Sequence, residues 1–199
     1  MTTDSPNQRL SGWLDAFDAA LQANDSARVA ELFAPDCYWR DFVSFTWNLK
    51  TMEGRDAIRD MVDATIEDIG PSHWALVGDA TEADGITEGW ISFETKTGRG
   101  EGHLRLNAEG AWTLLTTLRE LKGFEERKGT TRIKGVDHGA DRERVTWLEK
   151  KQQDEGALGY SEQPYCVVIG GGQGGIGLGA RLRRLGVPTL IIEKNARVV

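Results

Sequence analysis

Hydrophobic side chains recur at helical spacing in two segments of the first part of the chain, and a shorter segment between them follows turn-forming residues. Over 7–23, apolar residues recur every three or four positions, which predicts an amphipathic helix. Residues 26–33 follow turn-forming side chains and predict a short second helix that Pro35 ends. The same helical spacing over 55–68 predicts a third helix.

Aromatic and β-branched runs, separated by turn residues, predict five strands. One lies between the second and third helices, and the other four follow the third helix. They cover 37–46, 73–80, 86–95, 100–107 and 111–121. Three helices and a meandering series of strands predict an α+β fold in which helices pack on a curved antiparallel sheet.

Charge and glycine content divide the chain into three regions. Residues 1–122 hold 11 Lys/Arg and 21 Asp/Glu, whereas 165–199 hold 5 Lys/Arg, 1 Asp/Glu and 8 of the 24 glycines. We therefore expect a domain over 1–122, a polar linker with a charged helix (141–156) over 123–164, and the beginning of another domain over 165–199. So short a last region buries too little surface to fold alone, so we expect it to be incomplete.

The formal net charge of −7 argues against a nucleic-acid-binding protein, because such proteins present a basic surface. Cys37 and Cys166 have neither metal-ligand spacing nor the pattern of a disulfide framework, so we expect no metal site and a reducing compartment. The N-terminus lacks a signal pattern, and no apolar stretch is long enough to span a membrane. A cytoplasmic location is the resulting expectation.

The last region contains the clearest chemical motif. An apolar run, YCVVI, leads into Gly170, Gly172 and Gly175, which have the spacing G-x-G-x-x-G and precede an amphipathic helix. A second apolar run, TLII, ends at Glu193, 23 residues after the first glycine. This strand–turn–helix–strand context predicts a β-α-β unit that binds a dinucleotide.

Each part of the motif has a physical role in such a site. The first glycine permits the tight turn, the second lets a pyrophosphate approach the backbone, and the third lets the helix lie close to the strands. The helix N-terminus presents free N–H groups to the phosphates. Glu193 can accept hydrogen bonds from the adenosine ribose, and its charge disfavours a 2′-phosphate, so the site should prefer FAD or NAD over NADP. The predicted cofactor-binding residues are Gly170, Gly172, Gln173, Gly174, Gly175 and Glu193.

Residues 163–197 resemble the FAD-binding opening of flavin-containing monooxygenase-like proteins. Residues 32–54 and 135–165 look like a subgroup of these proteins that carries an N-terminal NTF2-like (SnoaL-like) domain. The resemblance implies an NTF2-like cone followed by the first β-α-β unit of a truncated Rossmann-type FAD-binding domain. It further implies that the full-length protein uses FAD, NADPH and O2 to oxygenate a small organic substrate.

The chain also departs from that family. It lacks the second glycine fingerprint, which binds NADPH, and the FxGxxxHxxxY-type motif. No catalytic residue carries over, so we expect an N-terminal fragment that is inactive by itself. Two alternatives remain. The first is a complete, non-catalytic NTF2-like binding or dimerisation module with a vestigial dinucleotide-binding tail. The second is another flavoprotein with two dinucleotide sites, such as a thiol-disulfide reductase.

The first region offers fewer candidate functional residues. Asp41 and His103 could form an acid–base pair in the pocket of an NTF2-like cone. His73 and His138 are expected to be solvated or structurally bonded. The aromatic side chains expected in the core or at an interface are Trp39, Trp47, Trp90 and Trp112. NTF2-like relatives often pair through the open face of the sheet, so a homodimer of this kind is a further expectation.

Overall fold

The computed structural model describes residues 4–132 and 145–195. The chain divides into two units, Met1–Glu125 and Glu126–Val199, and each contains its own sheet. Within the described ranges, no helix combines the length and the apolar character needed to cross a membrane.

Local capping sets the ends of the helices in the first unit, which are α1 (Pro6–Gln22), α2 (Ser26–Glu31) and α3 (Gly54–Ile69). The Ser5 hydroxyl accepts a hydrogen bond from the Gln8 backbone N–H, and the Gln8 side chain accepts one from the Ser5 N–H, which together form a capping box. Asp25 caps α2, and Gly70 ends α3 in a left-handed conformation. The three predicted helices are confirmed.

The strands of the first unit form one mixed sheet. They are β1 (Phe33–Phe42), β2 (Leu49–Glu53), β3 (Ser72–Ala83), β4 (Ile86–Glu94), β5 (Gly98–Asn107) and β6 (Gly110–Leu121). Their order is β2-β1-β6-β5-β4-β3. The pairing of β1 with β6 is parallel, and the other four pairings are antiparallel. The expectation of a purely antiparallel sheet is therefore wrong at this one pair.

The core of the first unit lies between the helices and one face of the sheet. Aromatic rings dominate it, with neighbouring centroids 4.6–6.4 Å apart, and they belong to Trp13, Phe17, Phe33, Trp39, Phe45, Trp74 and Phe93. Along β1, Cys37, Trp39 and Asp41 point into this core, whereas Tyr38 and Arg40 point to the opposite face. We call that opposite side of the sheet the outer face.

Two predictions around β1 are wrong in their bounds. The strand starts at Phe33 and contains Pro35, which lies at an irregularity in the pairing with β6, where a missing N–H is tolerated. It ends at Phe42, and 43–46 form a bent loop instead of continuing the strand. The short strand β2 follows and was not predicted, because its sequence, LKTME, alternates weakly.

The second unit contains a β-α-β arrangement. Strand β7 (Cys166–Ile169) leads through the glycine loop into α5 (Gln173–Arg184), and β8 (Thr189–Ile192) returns parallel to β7. A charged helix, α4 (Trp147–Ala157), precedes it, with Thr146 as its N-terminal cap. The charged helix was predicted over 141–156, of which 141–144 lie outside the described residues.

Candidate functional site

The glycine loop between β7 and α5 is closely packed at some positions and open at others. Gly170 has a φ of 103°, and its N–H donates to the Ile192 carbonyl at 2.8 Å, which joins the ends of the two strands. A Cβ on Gly175 would lie 1.9 Å from the Gly170 carbonyl oxygen. A Cβ on Gly172 or Gly174 would meet nothing within 4 Å. Gly175 therefore closes the turn, whereas Gly172 and Gly174 leave space in front of the backbone.

The start of α5 leaves backbone donors available. Gly172 occupies the N-terminal cap and supplies no capping side chain. The first intrahelical bond runs from the Ile176 N–H to the Gly172 carbonyl at 2.9 Å. The N–H groups of Gln173, Gly174 and Gly175 consequently have no acceptor within the helix, and the helix dipole adds a partial positive charge at this end.

Glu193 lies beside the same loop. Its Oε2 accepts a hydrogen bond from the Gly171 N–H at 2.6 Å, and its Oε1 accepts two from Asn195, from the backbone N and from Nδ2, both at 2.9 Å. The hydrogen bonds from the backbone of Asn195 and of Gly171 lower the pKa of the Glu193 carboxyl below its usual range. The group is therefore charged at neutral pH and is held at the end of β8.

The structure thus brings Gly170, Gly175 and Glu193 together around one turn and places Gln173 and Gly174 at the adjoining helix end. Two neighbours were not predicted from the sequence. Gly171 stands at a variable position of the fingerprint, and Asn195 has no motif that would have singled it out. That these residues bind a cofactor stays a prediction. Among 4–132 and 145–195, no cluster of His, Cys, Asp and Glu has the makings of a metal site.

In the first unit, the predicted Asp41–His103 pair is wrong. Asp41 points into the core, whereas His103 alternates with the buried Leu104 and lies on the outer face. The backbone registers align His103 with Leu115 and Arg40, one residue out of phase with Asp41. Because successive side chains of a strand point to opposite faces, the two groups are separated by the sheet itself.

Asp41 instead organises the loop that follows β1. The carboxylate is fully buried and accepts five hydrogen bonds of 2.8–3.2 Å, from the backbone N–H groups of Ser44, Phe45 and Thr46 and from the hydroxyls of Thr46 and Thr116. Val43 and Trp47, at either end of this loop, have left-handed backbones with φ of 56° and 51°. A conformation unfavourable for β-branched and bulky residues is thus held by one buried carboxylate.

The outer face carries an open groove of about 590 Å³, walled mainly by Tyr38, Arg40, Trp90, His103 and Leu115. Trp90 is 59% exposed and meets the His103 ring edge-on, with centroids 4.9 Å apart. Burial lowers the pKa of His103 below its usual value, and Glu88 only partly opposes that effect. The imidazole is therefore neutral at neutral pH.

The other tryptophans and histidines divide between core and surface. Trp39 is in the core, as predicted, and its indole N–H donates to Thr116 at 2.9 Å. Trp47 is exposed, and Trp112 lies half-buried beneath the Arg105 guanidinium, 4.6 Å from it. His73 is exposed, with Nδ1 2.9 Å from the Ser72 hydroxyl. His138 lies outside the described residues.

Residues 14–114 match the family described as the SnoaL-like domain. The chain belongs to this family. The predicted NTF2-like (SnoaL-like) α+β fold is therefore confirmed. The match stops within the first unit, so the resemblance to flavin monooxygenases, which depends on the combination of the first region with the glycine fingerprint of the second unit, stays a prediction. No curated protein matches the chain.

Several solved structures are similar to the chain at low identity. One is a protein of unknown function from Mycobacterium tuberculosis, with 14% identity over 59% of this chain and 73% of that chain, and a TM-score of 0.47. Another is the canthaxanthin-binding orange carotenoid protein of Anabaena (Nostoc) sp. PCC 7120, with 19% identity over 53% and 35% and a TM-score of 0.44. A third is an NTF2-like protein of unknown function from Mesorhizobium loti, with 16% identity over 59% and 97% and a TM-score of 0.42.

Proposed function

We propose that the second unit binds the ADP portion of FAD, and that the chain is the N-terminal part of a flavin-dependent monooxygenase that uses FAD, NADPH and O2 on a small organic substrate. The observation that carries the proposal is the glycine loop. Gly175 approaches the Gly170 carbonyl too closely for any side chain, while Gly172 and Gly174 face open space. A pyrophosphate site requires both features, a glycine that packs the helix closely against the strand and glycines that leave the backbone open to the phosphates, whereas an ordinary surface loop requires neither.

The free N–H groups of Gln173, Gly174 and Gly175 would hold the pyrophosphate, because they combine hydrogen-bond donors with the positive end of the helix dipole. A backbone without side chains at Gly172 and Gly174 would let the phosphates reach those donors. The proposed FAD phosphate site is therefore made almost wholly of main chain.

Glu193 would hold the adenosine ribose. A carboxylate offers about four lone-pair positions, of which Gly171 and Asn195 occupy three. One position remains for a ribose hydroxyl without breaking a contact, and a second becomes available if Gly171 releases Oε2. The negative charge repels a 2′-phosphate, so we expect FAD and ADP to bind better than NADP.

FAD supplies the redox chemistry of the reaction when it is bound, and the residues named here supply only binding and orientation. The test is titration of the full chain with FAD, followed by quenching of flavin fluorescence. We expect saturable binding that Gly175→Ala abolishes and that Gly177→Ala preserves. Gly177 is the matched control, because it lies in the same helix and an added Cβ there meets nothing within 4 Å. Wild-type chain that binds neither FAD nor ADP, or a Gly175→Ala variant that binds as well as wild type, would overturn the proposal.

The exposed apolar side chains of the outer face favour a second candidate function, a dimerising NTF2-like module. Tyr38, Leu49, Val77 and Trp90 all lie on this face and are 37–62% exposed. Antiparallel sheets normally keep a solvent-facing side polar, so the apolar groups indicate a covered surface. We propose that a second copy of the chain covers it. Sedimentation equilibrium should give a concentration-dependent dimer, and a strict monomer would exclude this function.

A further inference from the structure

The groove on the outer face has the size of a small-molecule site. Its volume of about 590 Å³ lies within the usual range of ligand pockets, roughly 300–1,000 Å³. Most of its wall consists of the rings of Tyr38, Trp90 and His103 and the side chain of Leu115. Rings and branched aliphatic groups contact a planar molecule over much of its surface, so this wall suits a flat apolar ligand.

Arg40 is the only charged side chain in the wall, because the His103 imidazole is neutral at neutral pH. Its Nη1 donates to the Thr51 hydroxyl at 2.7 Å, and the guanidinium carbon lies 5.2 Å from the centroid of the Phe42 ring. These two contacts orient the guanidinium. Among the described residues, Thr51 supplies the one oxygen that accepts from it, so other N–H groups are available to a ligand.

The other three arginines of this sheet each contact a carboxylate. The pairs are Arg99–Glu125 at 3.0 Å, Arg105–Glu88 at 2.9 Å and Arg119–Glu101 at 3.2 Å. Within 4–132 and 145–195, Arg40 has no carboxylate partner, although the chain as a whole carries a net charge of −7. A guanidinium without a counter-charge, at the edge of an apolar groove, is a recognition element for an anion.

We propose that the groove binds an organic anion with a flat apolar body, such as an aromatic carboxylate, and that the anionic group pairs with Arg40. The backbone registers align four wall residues across adjacent strands, in the order Arg40, Leu115, His103 and Trp90. The apolar body of the ligand would lie over Leu115, with its charged end toward β1. There the Thr51 hydroxyl, which accepts from Arg40, can donate its own hydrogen to the same anion.

The acidic side chains near the groove do not oppose an anion there. None of the wall residues carries a carboxylate. Glu88 is neutralised by its contact with Arg105 at 2.9 Å. Asp36 lies beside the Tyr38 hydroxyl and raises the pKa of that hydroxyl, but it is not part of the wall.

The proposed ligand is compatible with a dimer through the outer face. A second copy would remove Arg40 from water, and a buried cation without a counter-charge is destabilising. An anion in the groove supplies that counter-charge. The proposal therefore holds for a monomer and for a dimer, and it is independent of the FAD site in the second unit.

Calorimetric titration of the full chain with 2-naphthoate tests the proposal, and 2-naphthalenemethanol is the neutral ligand with the same rings. We expect saturable binding of 2-naphthoate and about tenfold weaker binding of the alcohol, which lacks the charge-assisted contact with Arg40. Arg40→Gln should weaken naphthoate binding about tenfold, and Trp90→Leu about fivefold. Arg119→Gln is the matched control, because it removes the same charge from a paired position of the same sheet and should bind as wild type.

Three results would each overturn the anion site: no saturable binding of 2-naphthoate, equal affinity for the two ligands, or an equal loss in Arg40→Gln and Arg119→Gln. Naphthoate binding that weakens as the chain dimerises would also overturn it, because a second copy would then occupy the groove. Gly175→Ala should leave naphthoate binding unchanged, so failure of this site and failure of the FAD site are distinguishable.

Discussion

Replacing Asp41 with asparagine is the most direct test of what the buried carboxylate does. The change keeps the size of the side chain and removes its charge. One carboxylate oxygen becomes an NH2 group, which cannot accept a hydrogen bond. If the amide nitrogen takes the place of Oδ2, three donors lose their acceptor: the Phe45 N–H, the Thr46 N–H and the Thr46 hydroxyl. If it takes the place of Oδ1, only two donors lose their acceptor, the Ser44 N–H and the Thr116 hydroxyl. The second orientation is therefore the less costly one.

The expected loss of unfolding free energy follows from the two buried donors that no longer have an acceptor. A buried donor without an acceptor costs about 1–3 kcal/mol, so the two together cost roughly 2–6 kcal/mol. Removing a buried charge recovers part of that, because the carboxylate was desolvated in the folded state. Loss of the charge also weakens the bonds that keep Val43 and Trp47 in left-handed conformations. We expect Asp41→Asn to lower the free energy of unfolding by about 2–4 kcal/mol.

Urea unfolding at neutral pH, followed by tryptophan fluorescence, measures this loss. Asp36→Asn is the matched control, because it removes the same charge from an exposed position of the same strand and should change stability by less than about 0.5 kcal/mol. If Asp41→Asn unfolds within about 0.5 kcal/mol of wild type, the carboxylate does not hold the loop and the account of Val43 and Trp47 is wrong.

Two further predictions concern single side chains of the first unit. Gly12→Ala should raise the free energy of unfolding by about 0.5–1 kcal/mol, because Gly12 is exposed within α1 and an added Cβ meets nothing within 4 Å. Gly100→Ala should lower the free energy of unfolding instead, because its Cβ would lie 2.2 Å from the Phe93 ring. Because burial lowers the pKa of His103 in the folded state, the unfolded chain binds the extra proton more readily, so stability should fall as pH drops below about 6.5. Unfolding at several pH values should show a smaller fall in His103→Gln than in wild type; equal slopes in the two proteins would contradict this prediction.

The three helices could be read from the sequence because each buries one stripe of apolar side chains at a regular interval. Strand β5 is predicted over 100–107, but the face that it buries could not be read in the same way. Its core-facing positions Gly98, Gly100 and Gly102 carry no side chain. The space beside them is filled by the side chains of Leu118, Phe93 and Ile91 and by the Leu115 carbonyl oxygen. Half of the strand therefore lacks the apolar–polar alternation that identifies the buried face. Without it, His103 was assigned to the interior beside Asp41, although its neighbours Leu104 and Leu106 indicate the outer face.

The parallel pairing of β1 with β6 was missed for a different reason. Local sequence determines turns between consecutive strands, but β1 and β6 are separated by most of the first unit. Their pairing depends on tertiary packing, including the Trp39–Thr116–Asp41 hydrogen bonds that connect the two strands. None of these residues forms a recognisable motif. At the end of β8, the fingerprint indicated Glu193 but not Asn195, which donates two hydrogen bonds to its carboxylate.

An apolar run such as YCVVI is typical of a strand buried on both faces, but the described residues cover only one face of β7. Val168, on the α5 side, is 8% exposed, whereas Ile169, on the other side, is 88% exposed.

The FAD proposal concerns the glycine loop of the second unit, whereas the dimer proposal concerns the outer face of the first unit. Gly175→Ala should abolish flavin binding without weakening the dimer, and Trp90→Glu, which places a charge on the outer face, should weaken the dimer without changing flavin binding. Because flavin binding and dimerisation are measured separately, either function can fail while the other stands.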